Sequence, residues 1–69
     1  MQQFDLENRE YIELHNLLKI TGLCNSGGQA KLLIGEGLVS VDGLVETRKR
    51  CKIRAGQRVE FNDELVTVE

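Results

Sequence analysis

At Gly37 the chain changes its periodicity, and that change leaves one fold class open. Before it, apolar residues recur at spacings of three and four; after it, they alternate in short runs cut by turns. Tyr11, Leu14, Leu17 and Leu18 form a helical stripe, with Asn8 as the candidate N-cap and Glu10 in the first turn at the positive end of the dipole. Gly22 is the left-handed residue that stops it. Ser26-Gly27-Gly28-Gln29 has the serine-to-glutamine spacing of a capping box and opens a second, short helix through Ala30, Lys31, Leu32, Leu33 and Ile34. Only Leu23-Cys24-Asn25 separates the two, which makes a compact helix–turn–helix pair.

Past Gly37, Val39 and Val41 flank Ser40, Asp42-Gly43 is a hairpin turn, and Leu44-Val45 returns. Ala55-Gly56-Gln57 turns into a run with Val59 and Phe61 on one face and Arg58 and Glu60 on the other. Asn62-Asp63 turns into a last strand, Leu65 to Val68. The sequence therefore predicts an α+β domain, two short N-terminal helices packed on a small, mainly antiparallel β-sheet. With 69 residues, one domain spanning 1–69 is expected, with a modest core and 1–7 as an extended arm carrying Phe4 and Leu6 on one side.

Several function classes find no support. No apolar run approaches the ~20 residues of a membrane span, and no charged-then-apolar leader opens the chain, so a cytoplasmic protein without membrane contact is expected. Cys24 and Cys51, distant in sequence and without a secretory leader, read as free, partly buried thiols. Together with the single histidine, His15, they lie on three separate segments with no Cys-x-x-Cys pair, so neither a metal site nor a cofactor is expected. His15, beside the apolar stripe, reads as a surface or boundary residue. Glu7, Glu10 and Glu13 follow one helix face, and Glu60, Asp63 and Glu64 sit at a turn; no carboxylate pair faces a base, and no catalytic role is expected. The only aromatic residues are Phe4, Tyr11 and Phe61, too few for a stacking platform. A nucleic-acid binder of this composition would read backbone and shape rather than splayed bases.

Charge points the other way. The formal net charge is −2, yet residues 29–58 hold seven cations against three carboxylates, and four of those cations fall within Arg48-Lys49-Arg50-Cys51-Lys52. The segment before it carries −2 and the segment after it −4. A basic middle between acidic ends suits one face to phosphate and keeps the others soluble. If 48–52 is extended, Arg48, Arg50 and Lys52 share a side at a spacing of about 6–7 Å, near the phosphate repeat of a strand; if it is a flexible loop, the same residues are simply solvated. The start of the second helix offers a complementary feature. Its free N–H groups can hold an anion, Gly27 and Gly28 leave room for one, and Lys31 adds a charge one turn in. The plainer explanation is a capped helix whose glycines let two helices approach. No P-loop spacing is present.

The motif order Leu14, Leu17, Gly22, Ser26-x-x-Gln29-Ala30-Lys31-Leu32-Leu33-Ile34-x-x-Gly37-x-Val39-x-Val41-Asp42-Gly43-x-Val45, then Ile53-x-x-Gly56-x-x-Val59, resembles the alpha-L RNA-binding motif. This is the ribosomal protein S-four type of RNA-binding domain, also found in pseudouridine synthases and bacterial tyrosyl-tRNA synthetases. The resemblance runs from about Glu13 to Phe61, leaving 62–69 as a C-terminal turn and strand, and Val41 to Ile53 is similar to a short stand-alone bacterial form. It implies that the two helices and the hairpin make one RNA-docking face. Gly27, Gly28, Gln29, Lys31, Arg48, Lys49, Arg50, Lys52 and Arg54 would be its residues. The wider family often has arginine after the helix-two serine, where Gly27 stands here, and opens with Arg-Leu-Asp, where this chain has Glu13-Leu14-His15.

The expected function is that of a small non-catalytic monomer docking on structured RNA, with ribosomal RNA or a precursor as the candidate target and a protein partner in a ribonucleoprotein complex as a further expectation. The alternative is a protein-interaction adaptor using the same basic face or an exposed sheet edge.

Overall fold

The computed structural model describes residues 1–69. In chain order the elements are β1 (Gln2–Phe4), β2 (Ile12–Glu13), α1 (Leu14–Ile20), α2 (Gly27–Gly35), β3 (Val39–Val41), β4 (Leu44–Val45), β5 (Lys52–Ile53), β6 (Arg58–Phe61) and β7 (Glu64–Val68). Five strands form one sheet in the order β1-β7-β6-β3-β4, and β2 pairs with β5 in a separate two-stranded ribbon. All pairings are antiparallel except β1 with β7. The expected α+β architecture is what the chain adopts.

Local chemistry explains most of it. Asp42 (φ +51) and Gly43 (φ +85) make the β3–β4 turn, and Asn62 (φ +53) and Asp63 (φ +66) make the β6–β7 turn. Both pairs hold the positive φ at two successive residues that a two-residue hairpin needs. On β6 and β7 alternation puts Val59, Val66 and Val68 inside, where they meet Leu14, Leu17 and Leu18 of α1 and Ala30 and Ile34 of α2 in one cluster. Burying each of the larger aliphatic side chains contributes roughly 1.5–3 kcal/mol. Leu6 and Ile12 join the same cluster, and the N-terminal arm is held against the last strand: Glu69 N–H donates to the Phe4 carbonyl at 2.8 Å, and Leu6 N–H to the Glu69 carbonyl at 2.9 Å.

Two expectations are corrected here, and one open alternative is closed. The first helix does not start at Asn8, which sits with Glu7 in a turn at φ +73; the stretch before Leu14 is extended, with Glu13 as N-cap and no side-chain cap. The first turn of α1 is satisfied from a distance instead: Leu14 N–H donates to the Cys51 carbonyl (2.9 Å) and His15 N–H to the Lys49 carbonyl (3.1 Å). The basic segment, accordingly, is not extended. Cys51 N–H closes back onto the Arg48 carbonyl at 3.2 Å, making a β-turn over Arg48–Cys51, and only Lys52–Ile53 is strand. Last, His15 is no surface residue: it is 8% exposed.

Candidate nucleic-acid interface

Two elements are linked here through His15, the basic turn and the start of α2. The turn is positioned by α1, whose orphan N–H groups take two of its carbonyls, so its side chains project outward from a fixed backbone. Within it Arg48 is committed. Its Nε donates to Glu46 Oε2 (2.9 Å), its Nη2 to Oε1 (3.0 Å), and its backbone N–H to Oε2 (2.9 Å). These bonds hold the Glu46 carboxyl down at about 2, the side-chain bond from Arg48 being the largest cause. Lys49, Arg50, Lys52 and Arg54 are exposed and carry no carboxylate partner. Arg48, Arg50, Cys51 and Lys52 line an open cleft of about 400 Å³. Burial, and then the neighbouring Glu46 charge, push the Cys51 thiol up; burial does the same to Cys24.

At α2 the expected cap is present. Ser26 Oγ accepts from Gln29 N–H at 3.1 Å, and Gln29 Oε1 accepts from Asn25 N–H at 2.7 Å, one residue earlier than in the usual box. Ala30 N–H goes to the Ser26 carbonyl, which leaves the Gly27 and Gly28 N–H groups facing outward without a partner in the protein. The glycines are not there for helix packing. A Cβ on Gly28 would meet nothing nearer than Ser26 Oγ at 3.9 Å, and one on Gly27 nothing nearer than His15 Nδ1 at 4.0 Å. Gln29 therefore serves the cap, and Lys31 is half-buried.

His15 joins the two halves. Its backbone is tied to Lys49, and its ring lies beneath Gly27. Nε2 faces Glu13 Oε1 at 3.2 Å and donates to it, since a carboxylate only accepts; Nδ1 is buried with no hydrogen-bond partner. Such an atom costs roughly 1–3 kcal/mol. Sequence reasoning missed His15, Glu46 and Tyr11. The ring of Tyr11 has Lys52 Nζ 5.0 Å and Arg54 Cζ 5.7 Å from its centroid. The Glu46-x-Arg48 spacing was the one local sign of the ion pair.

No group of three or more His, Cys, Asp or Glu side chains is placed to hold a metal, and no helix is long and apolar enough to cross a membrane.

The S4 domain description matches residues 4–69. The chain is 54% identical over 68 residues to YbcJ of Escherichia coli (strain K12), a protein provisionally named as RNA-binding, with 99% of this chain and 97% of that one covered. YbcJ of Shigella flexneri, whose name assigns no function, matches to the same extent. The solution structure of the Escherichia coli protein, described as revealing an alpha-L motif involved in RNA binding, superposes with a TM-score of 0.76 over 99% of this chain and 86% of that one.

Proposed function

The chain belongs to the S4 domain family, and on that premise we propose that it binds structured RNA as a non-catalytic monomer, with ribosomal RNA or a precursor as target. The observation that carries this is the nearness, through His15, of two features suited to phosphate: four cations without a carboxylate partner (Lys49 and Arg50 on the anchored turn, Lys52 and Arg54 on and after β5), and two N–H groups at Gly27 and Gly28 without a partner in the protein. His15 spans the gap between them. Affinity comes from charge neutralisation and shape fit, with the backbone of the RNA as the main contact.

The test is a titration against bulk structured ribosomal RNA at several salt concentrations. Wild type is compared with Lys49→Ala/Arg50→Ala/Lys52→Ala, a variant that leaves the Glu46–Arg48 pair and the turn's carbonyl bonds in place. The slope of log affinity against log salt should fall by about 0.7–0.9 for each cation removed. Salt-independent binding, or an unchanged slope in the folded variant, refutes the reading.

One observation favours the adaptor reading: the edge strand β4 exposes both of its apolar side chains, Leu44 at 74% and Val45 at 64%. An absorbance ratio at 260 and 280 nm after low-salt purification separates the two. Carried-over nucleic acid supports the first, and a co-purifying protein the second.

A further inference from the structure

The outer side of the β2–β5 ribbon adds a ring, Tyr11, that backbone docking does not use. Ile12 pairs with Ile53 and Glu13 with Lys52, and both isoleucines point into the core. Alternation then turns Tyr11, Glu13, Lys52 and Arg54 to the outside. Tyr11 is half-buried, fixed by the ribbon beneath it, and flanked by the two cations at 5.0 and 5.7 Å. Lys52 also lines the cleft with Arg48 and Arg50, so ring and cleft share a wall. The attraction of an exposed cation to a ring is weak, and both cations are exposed side chains free to swing onto phosphate.

We propose that Tyr11 is the seat for one unpaired nucleobase, whose flanking phosphates are held by Lys52, Arg54 and the cleft. This rests on the RNA reading above and narrows its ligand to a structured RNA bearing an extrahelical nucleotide rather than an uninterrupted duplex. Phe4 and Phe61 are packed against the core, so no second ring extends the seat and one base is its capacity. A single tyrosine among cations binds one base by its π-face and tolerates any of the four.

Two RNA hairpins with the same stem, one carrying a single-adenosine bulge, are titrated with wild type, Tyr11→Phe and Tyr11→Ala. Tyr11 is the only tyrosine in the chain, so its ring protons are unambiguous in an NMR spectrum of the wild type, which reports stacking even if the alanine variant fails to fold. Expected are tighter binding of the bulged stem, retained by Tyr11→Phe, and an upfield shift of the wild-type Tyr11 ring protons with that stem alone. Tyr11→Ala should lose about 5- to 150-fold in affinity for the bulged stem and change little for the plain one. Equal affinity for the two stems without a ring shift, or an equal loss on both in Tyr11→Ala, overturns the proposal and makes the ring a spacer for its cations, with backbone docking intact. If neither stem binds wild type at low salt, the RNA reading falls, and this one with it.

Discussion

Adding a methyl group at Gly28 should make the protein more stable, and adding one at both Gly27 and Gly28 should make it a poorer RNA binder. Gly28 is in the first turn of α2, without the positive φ of Gly22, Gly37, Gly43 and Gly56, and its added Cβ would sit 3.9 Å from Ser26 Oγ, an ordinary contact. Where alanine fits the native backbone, it stabilises by about 0.4–1 kcal/mol, because the unfolded chain loses freedom. In a chain of 69 residues that is a rise in Tm of about 2–8 °C. Binding moves the other way in the double variant Gly27→Ala/Gly28→Ala. Its two methyls crowd the only free N–H groups of the turn, and weakening a charge-assisted bond by about 1–2 kcal/mol lowers affinity about 5- to 30-fold. Thermal unfolding by circular dichroism and the ribosomal-RNA titration read the two effects separately. A fall in Tm for Gly28→Ala would refute the argument that the space is free. A stable double variant with unchanged affinity would remove Gly27 and Gly28 from the interface and leave the basic turn to carry it.

Ser26→Ala should cost about 1 kcal/mol in urea unfolding, since the exposed hydroxyl caps Gln29 N–H and packs against nothing else of consequence. Glu46 has a folded-state value of about 2, below the ordinary glutamate range, so its contribution to stability is complete above about pH 4.5 and is lost as the pH falls through about 2. The stability difference between wild type and Glu46→Gln, measured by urea unfolding across pH 6 to 2, should therefore be constant at the upper end and shrink below pH 4.5. Burial pushes both thiols up, so Cys24 and Cys51 should alkylate with iodoacetamide at pH 8 more slowly than free cysteine. Cys51, half-exposed and raised also by the Glu46 charge, should be the faster of the two and faster still in Glu46→Gln.

What could be read in the sequence was coded within four residues, and most of what could not was coded between distant segments. The cap at Ser26 and Gln29, the left-handed stops at Gly22 and Gly37, and the turns at Asp42-Gly43 and Asn62-Asp63 each depend on near neighbours, and each is found. The start of α1 was misread because Asn8, Glu10 and Tyr11 satisfy the local rules for a helix start. The donors of Leu14 and His15 are instead answered by Cys51 and Lys49, which no local window includes. The same pairing bends the basic segment into a turn, where local sequence leaves an extended stretch and a loop both open. Its charge was plain from sequence; its geometry was not. His15 shows the remaining blind spot: burial is a property of packing between α1 and α2, and a histidine beside an apolar stripe gives no sign of which side it takes.

The carboxylates in this face then acquire a positional meaning. Near an RNA site Glu13 and Glu46 look like errors, since each repels phosphate. Both already have partners within the protein, Glu13 the buried His15 ring and Glu46 the side chain and backbone of Arg48. A turn bearing four cations in five residues, set against the positive end of a helix dipole, is self-repelling; two carboxylates at its base offset that and define its shape. The consequence is countable. Of Arg48, Lys49, Arg50, Lys52 and Arg54, Arg48 spends its fork on Glu46 and four remain for phosphate. The salt slope contributed by these cations should therefore lie near 3, from four cations at about 0.7–0.9 each, rather than the value of about 4 that five cations would give.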